Sequence, residues 1–399
     1  MKSNYRYIVK AFMAMAVIAG TTSCDDFLDR EPMSSISPET YYSTAAQLEA
    51  NLNDEYPNVL PSFGQWTYGI FGEDKGTDNQ IEVNANDRYT QDRWKVPHSE
   101  SDNWKFERIY RINFFLSEAL PKFGEDMSGS QNTISGSVAT IKHYIGEMYF
   151  LRAYEYFKKL QLFGDFPIIN QPLADEMEAL REASKRFPRN EVARFIISDL
   201  DKAYAYMSDV DMATTRINKD VAMLVKSRVA LFEATWLQNF KGTAFVPGGE
   251  GWPGASLHNN YQYPSGNIDN EVKYFLEQAV EASKLVADKY KGSLTENTGV
   301  LQQSADDPSN PYFDMFAQED LSDVKEVLLW RQYARGLSTH NINAAAGRGN
   351  YRIGLTRGFV QNFLMKDGTP VYAHGSYADG DGYYMGDKTV ADVRVLFLY

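Results

Sequence analysis

The chain has 399 residues, too many for one simple core, so we expect one large domain or two closely packed domains. Its 40 Lys and Arg residues stand against 53 Asp and Glu residues, which gives a formal net charge of -13. A surface with that balance repels nucleic acid, whose binding needs Lys and Arg to neutralise phosphates. The single cysteine excludes a disulfide within the chain and a cluster of thiolate metal ligands.

The first residues are typical of an export signal. Basic residues precede a short apolar run at residues 11–20, and small polar residues then lead to Cys24. The run is shorter than the about 20 residues that a membrane-spanning helix needs. A lone cysteine after such a run is typical of a bacterial lipoprotein, although Thr21 stands where these signals usually carry Leu. The sequence predicts a signal peptide over 1–23 and lipidation of Cys24, with an ordinary secreted protein as the alternative.

Helical and loop signals alternate after an acidic tether. Ser37, Pro38 and Glu39 have the residue types of a helix start, and they predict a helix running through residue 56. Residues 57–97 are rich in Gly, Asn and Asp, which predicts long loops. From Trp104 to Leu120, apolar residues recur at three- and four-residue steps and predict a second helix.

The most aromatic helix is predicted around Ile141–Leu160. It is apolar on most sides, so we expect it to be buried between neighbours, with Gly164 and Pro167 ending it. After the next helices the chain is expected to form a long loop at 240–266, and residues 326–333 predict a short strand. The three further predicted helices are Asn190–Met207, Lys219–Asn239 and Asn270–Tyr290.

The predicted fold class is mainly α. Paired helices are typical of tetratricopeptide repeats, whose period is about 34 residues. The spacing of these helices is not uniform, so the sequence predicts helical hairpins without a regular solenoid. The part beyond residue 291 is expected to be loop-rich.

Several separated segments carry a more specific signal when they are taken together. They are CDDFLDREP, SPETYYSTAAQLEANLNDEY, WKFERIYRINFFLSEAL, GEMYFLRAYEYFKKLQLFGDFPII, FPRNEVARFIISDLDKAYAYM and INKDVAMLVKSRVALFEATW. In this order they resemble the SusD/RagB family of outer-membrane nutrient-uptake lipoproteins. The resemblance covers nearly the whole mature chain.

The resemblance implies a fold and a function. The fold consists of tetratricopeptide-like helical hairpins over 24–240 and a loop-rich C-terminal region over 270–399. Members of the family are surface-exposed and lipid-anchored in the outer membrane, and the acidic residues after Cys24 resemble their export signal. They bind glycans, or sometimes peptides, and pass them to a partner transporter of the TonB-dependent SusC type. The implied role is binding, without catalysis and without a cofactor.

The C-terminal end departs from the family pattern. The segment QNFLMKDGTPVYA resembles a family segment after which members continue well beyond this chain's VADVRVLFLY. We therefore expect the C-terminal region to be incomplete, either as a truncated product or as an unusually short member.

Sugar binding needs flat aromatic faces beside polar groups. Rings at helical spacing are expected to pack in the core, which assigns Trp104, Tyr154, Phe157 and Trp236 to packing. Rings in loops are the better candidates for ligand contact. The predicted ligand-binding residues are Trp66, Tyr68, Arg88, Tyr89 and Trp94 in one loop group, and Trp252, Tyr261 and Tyr263 in another.

An enzyme, such as a glycoside hydrolase with two carboxylates, is the main rival class. Carboxylates are plentiful in the loops, but nothing in the sequence pairs them. His143 and Glu147 stand four apart on a helix, which predicts a contact on the helix face rather than a zinc site. Asp379–Asp387 lacks the spacing of a calcium loop and predicts a turn. No catalytic residue, metal ligand or cofactor is predicted.

Overall fold

The computed structural model describes most of the helical part of the chain. The described residues are 41–61, 74, 76–82, 103–124, 126–208, 212–300, 304, 306–334, 339–340, 353–362, 364 and 368–370. The predicted signal peptide, Cys24 and the helix signals at Ser37, Pro38 and Glu39 lie outside these residues.

The described part is mainly α-helical, which confirms the predicted fold class. The longer helices are α1 (Ala45–Val59), α2 (Glu107–Phe123), α3 (Val138–Phe163), α4 (Met177–Ala183), α5 (Arg189–Tyr206), α6 (Lys219–Asn239) and α7 (Ile268–Tyr290). Two short helices follow, α8 (Pro311–Met315) and α9 (Arg357–Gln361). Strands β1 (Gln80–Glu82) and β2 (Ile353–Leu355) pair antiparallel, with Ile81 opposite Gly354. No described helix combines the length and the apolar composition needed to cross a membrane.

Helix α1 follows a turn at Tyr42 and Ser43 and begins at Ala45. Thr44 caps it: the Thr44 hydroxyl accepts from the Gln47 amide at 3.3 Å, and the Gln47 side chain accepts from the Thr44 amide at 3.0 Å. This reciprocal pair satisfies two backbone donors at once, which stabilises the start of α1 at this point.

The strand predicted at residues 326–333 is wrong. This segment is irregular, and its polar groups bond to the loop that precedes α6. The Trp330 amide donates to the Thr214 carbonyl at 3.1 Å, and the Leu328 carbonyl accepts from the Asn218 side chain at 2.8 Å. These bonds satisfy polar groups that a neighbouring strand would otherwise satisfy, so the segment does not form a strand.

Helix α3 lies at the centre of the helical part. It packs against α1, α2 and α5, and the chain then continues by packing α5 on α6 and α6 on α7. Its side chains Ile145, Met148 and Leu151 are fully buried, as the aromatic and apolar pattern predicted. Helices that pack on their neighbours in this way form the tetratricopeptide-like hairpins that the sequence analysis expected.

Among the described residues, four arginines each donate at least two hydrogen bonds to one buried carboxylate, and we call these the interhelical arginine pairs. In each of them the carboxylate belongs to another element than the arginine. The pairs are Arg152 with Asp199 (α3 to α5), Arg189 with Glu233 (α5 to α6), Arg194 with Glu271 (α5 to α7) and Arg216 with Glu147 (the loop before α6 to α3).

Arg152 is the most connected of these arginines. Its Nε and Nη2 donate to Asp199 at 2.6 and 2.8 Å. Its Nη1 donates to the side chain of Asn113 on α2 at 2.9 Å and to the carbonyl of Asn170 at 3.1 Å. One buried cation therefore joins α2, α3, α5 and the segment after α3.

We expect Asp199→Ala to lower the free energy of unfolding by about 3–5 kcal/mol, because it leaves the buried Arg152 charge without a counterion. Urea denaturation followed by circular dichroism measures the change. The control is Glu182→Ala, which breaks the exposed Glu182–Lys185 pair and should change stability by less than about 1 kcal/mol. Equal effects of the two substitutions would contradict this role for Asp199.

Candidate functional site

The sequence-predicted ligand residues divide into two sets in the structure. Trp66, Tyr68, Arg88, Tyr89 and Trp94 lie outside the described residues, so their contact with ligand stays a prediction. The other three come together in one aromatic cluster. The Trp252 and Tyr261 ring centroids are 5.6 Å apart, the Tyr261 and Tyr263 centroids are 5.2 Å apart, and the His258 ring stacks on Trp252 at 5.9 Å.

The polar ends of this cluster bond to the protein. The Trp252 indole donates to Asp165 at 2.7 Å, the Tyr261 hydroxyl donates to Asn190 at 3.0 Å, and the Tyr263 hydroxyl donates to the Pro247 carbonyl at 2.6 Å. Burial raises the pKa of both tyrosine hydroxyls, so they stay protonated donors.

This cluster holds the 240–266 loop against the helices. Trp252 is only 5% exposed, and ligand contact by Trp252, Tyr261 or Tyr263 remains a prediction. A tight approach shapes the loop here: a Cβ on Gly254 would overlap the Trp252 indole, so the short 3-10 helix Pro253–Ser256 needs glycine at that position.

A cleft of about 620 Å³ lies beside the cluster. We call it the α3–α6 cleft. Its walls are the end of α3 with residues 161–165, the segment 184–189, Trp236 of α6, and the loop residues 244–257. Its volume falls within the range of about 300–1,000 Å³ that is typical of small-ligand sites.

An exposed aromatic ring stands at the mouth of the α3–α6 cleft. Phe245 is 61% exposed, although its backbone is fixed because its carbonyl accepts from the Trp236 indole at 3.0 Å. Its ring packs edge-to-face on Phe240 at 5.4 Å. Leu162 and Leu257, each 55% exposed, also line the cleft. A positioned ring with an open face can stack on the apolar face of a sugar.

Trp236 forms an inner wall of the cleft. The Arg189 guanidinium lies 4.1 Å from the centre of its ring, and Glu233 holds that guanidinium from the other side. The ring is therefore clamped between α5 and α6. The helical spacing of Trp236 predicts packing, which is confirmed, but spacing alone does not indicate that the same ring borders a cleft. The Gly-rich loop that follows Trp236 is the sequence feature that could have indicated a cleft.

Asp165 lies between the cleft and the aromatic cluster. Gly164 ends α3 with φ at +70°, as predicted, and this turn directs the chain away from the helix. One Asp165 oxygen accepts from the Trp252 indole and the other from the Arg189 amide at 2.9 Å. Burial raises the pKa of the Asp165 carboxyl, and those two hydrogen bonds oppose the rise.

Arg186 brings a positive charge to the same cleft. Its side chain is exposed, and its guanidinium lies 4.6 Å from the centre of the Trp104 ring. Its carbonyl accepts from the His258 ring at 2.7 Å, which ties the segment 184–189 to the aromatic cluster. No sequence motif marks Arg186, because it stands in a polar stretch without aromatic or Gly-rich neighbours on its N-terminal side.

The predicted contact between His143 and Glu147 on one helix face is confirmed. Their side chains approach to 3.1 Å, and both are buried. Glu147 also accepts two bonds from Arg216 and one from the Tyr56 hydroxyl at 2.8 Å, so its role is in packing. Within the ranges that the structure describes, no group of three or more His, Cys, Asp or Glu side chains could hold a metal ion.

Comparison with known proteins identifies the family. A family model described as "starch-binding associating with outer membrane" matches residues 26–231. The chain belongs to this SusD-like family. That confirms the relationship which the sequence motifs predicted.

Individual relatives are distant. SusD-like proteins P2 and P25 of Formosa agariphila are each 25% identical, over 253 and 233 residues, which is 60% and 54% of this chain and 46% and 41% of theirs. The chain thus spans less than half the length of these curated relatives. A crystal structure of a SusD-like carbohydrate-binding protein from Bacteroides fragilis is 13% identical, with a TM-score of 0.48 and coverage of 86% of this chain and 57% of that one.

We expect the free energy of unfolding to depend on pH through Glu271 of α7. Its carboxylate accepts hydrogen bonds from helix α5 and from the loop that precedes α7. Burial disfavours the ionised form, but bonds from Arg194, Asn190 and Ser265 outweigh it and lower the pKa of Glu271. The resulting stabilisation is complete above the ordinary Glu pKa and is lost as the pH falls through the lowered value.

The test compares Glu271→Gln with the wild type. The variant should be less stable by about 3 kcal/mol at pH 7. The difference should shrink as the pH falls below about 4.5, because Glu271 of the unfolded wild type then binds a proton that the folded state takes up only at a lower pH. Thermal unfolding between pH 7 and pH 3 measures it. A difference that does not change with pH would contradict the role of the charge.

Proposed function

We propose that this protein is a surface-exposed outer-membrane lipoprotein that binds oligosaccharide or polysaccharide and delivers it to a SusC-type TonB-dependent transporter. The observation that carries the proposal is the match of residues 26–231 to a family described as starch-binding and associating with the outer membrane. The apolar run followed by Cys24 supports the lipid anchor.

The α3–α6 cleft is the proposed glycan site among the described residues. It combines an exposed ring at Phe245 with the polar groups that sugar hydroxyls need, including Ser184 and Gln161. Trp236 and Phe245 lie beyond the matched segment, so their part in the proposal rests on the geometry alone. Ligand contact in the loop that contains Trp66 and Trp94 remains part of the proposal.

A binding role fits the cleft better than hydrolysis. Glycosidases place two carboxyl groups about 5–9.5 Å apart. Among the described residues that line the cleft, Asp165 alone carries a carboxylate, and both of its oxygens already accept hydrogen bonds. We therefore propose binding without catalysis, with a peptide ligand as the alternative within the same family.

We expect Cys24→Ala to abolish lipidation, because the cysteine sulfur is the proposed point of attachment. Cells that express wild type or variant are labelled with a clickable palmitate analogue, and the immunoprecipitated protein is read by in-gel fluorescence. A conservative Thr21→Leu variant, which restores the usual residue of such signals, should label at least as strongly as the wild type. Equal labelling of Cys24→Ala would remove the anchor from the proposal.

We expect Phe245→Ala to weaken glycan binding about five- to thirtyfold, because loss of one stacking ring corresponds to about 1–2 kcal/mol. Affinity electrophoresis against amylopectin, laminarin, xylan, polygalacturonate and dextran sulfate measures it on the polysaccharide that retards the wild type. The ring is exposed, so the thermal stability of the variant should stay near that of the wild type.

The matched control is Phe316→Ala, which removes a ring that is 71% exposed and does not line the cleft. It should leave retardation unchanged. If both variants bind as the wild type does, the α3–α6 cleft is not the site. If no polysaccharide retards the wild type, glycan binding itself is contradicted and a peptide becomes the leading ligand class.

A further inference from the structure

We propose that the glycan held in the α3–α6 cleft carries an anionic group, either the carboxylate of a uronic acid or a sulfate ester, and that Arg186 binds it. This inference rests on the proposed function, because it names the class of glycan that the same site would take. Both anions present oxygens that match the two-pronged N–H geometry of a guanidinium.

The first support is the contrast between Arg186 and the arginines of the four interhelical pairs. Each of those side chains donates to a carboxylate of another element. Arg186 lines the cleft with an exposed side chain, and in the described part of the chain no carboxylate oxygen lies within 4.0 Å of its guanidinium nitrogens. With no ion pair among the described residues, this exposed guanidinium is open to an anion from solution.

The second support is that the other charges of the cleft already have partners. Arg189 is neutralised by Glu233 at 2.9 Å. Both Asp165 oxygens accept hydrogen bonds, from the Trp252 indole and from the Arg189 amide. Asp165 also feels the charge of Arg186 but forms no ion pair with it, so Arg186 is the cationic group among the described lining residues that an incoming anion can pair with.

The third support is that Arg186 is held in place before any ligand arrives. Its guanidinium packs over Trp104, whose own ring meets Phe163 and Phe166 edge-to-face at 4.9 Å each. Its neighbour Phe187 forms a backbone bridge with Phe166, with N–O distances of 3.1 and 3.2 Å. An ordered side chain loses less conformational entropy on binding, which favours affinity.

The contact with Trp104 leaves hydrogen-bonding capacity at Arg186. A guanidinium carries five N–H donors, and contact of its Cζ with one aromatic ring does not use all of them. They can donate to two oxygens of one carboxylate or sulfate. Meanwhile Phe245, at another wall of the same cleft, offers its face to a sugar ring.

The experiment uses the full mature chain and polymers that differ only in charge. Polygalacturonate is compared with its fully methyl-esterified form, and dextran sulfate with dextran. Amylopectin serves as the neutral reference. We expect one acidic polymer to bind at least tenfold more tightly than its neutral counterpart by isothermal titration calorimetry. The pair that shows the difference distinguishes carboxylate from sulfate recognition.

Variants at Arg186 locate the contact. Arg186→Gln should weaken binding of the acidic polymer about tenfold or more, and Arg186→Lys should weaken it less, because it keeps the charge but loses the fork. The matched control is Arg181→Gln, which removes the same charge from an exposed position on nearby α4 outside the cleft. It should change affinity less than twofold.

The outcomes separate this inference from the proposed function. Equal binding of charged and neutral polymers, with no effect of Arg186→Gln, would overturn the inference and leave glycan binding intact. Equal losses in the Arg186 and Arg181 variants would show a general attraction of charge and would also overturn it. Failure to bind any polymer, amylopectin included, would overturn the proposed function and the inference with it.

Discussion

The interhelical arginine pairs are the constraint on which the rest of the described structure depends. Apolar packing alone tolerates small shifts and changes of shape between helices. A buried guanidinium does not, because its separation from its carboxylate leaves a bare charge at a cost of about 3–5 kcal/mol. Arg152, with Asp199 and Asn113, sets α2, α3 and α5 against one another, and Arg194 with Glu271 extends the same arrangement to α7.

The same pairing shapes the candidate site. Arg189 neutralises Glu233 and at the same time covers one side of Trp236, so the ion pair between α5 and α6 also fixes a wall of the cleft. Asp165 then receives the Arg189 amide and the Trp252 indole, which seats the loop against the helices. Arg186 stands apart from this network, packed on an aromatic ring. Cations that build the fold have buried partners, and the one proposed to bind ligand is left accessible.

The family match ends at residue 231, before the loop that lines the cleft. The matched residues 26–231 include both members of the Arg152–Asp199 and Arg216–Glu147 pairs, whereas the loop wall with Phe245 and Trp252 lies beyond them. Loops on a rigid helical scaffold are where relatives change ligand without changing fold. Distant relatives can therefore share the helices of this protein and still differ in the loop that lines this cleft.

The sequence by itself determined the helices α2, α3, α5, α6 and α7 and the stop at Gly164, because apolar spacing and glycine conformation act over one or two turns. It could not determine which ring borders a cleft. Trp252 stood in a loop and was expected to be accessible, but it is buried against Asp165, which is 87 residues away along the chain. The segment 326–333 likewise has strand composition, but it bonds to the loop before α6. Only the tertiary structure brings such distant partners together, and the partner that a polar group finds decides whether its side chain packs or meets solvent.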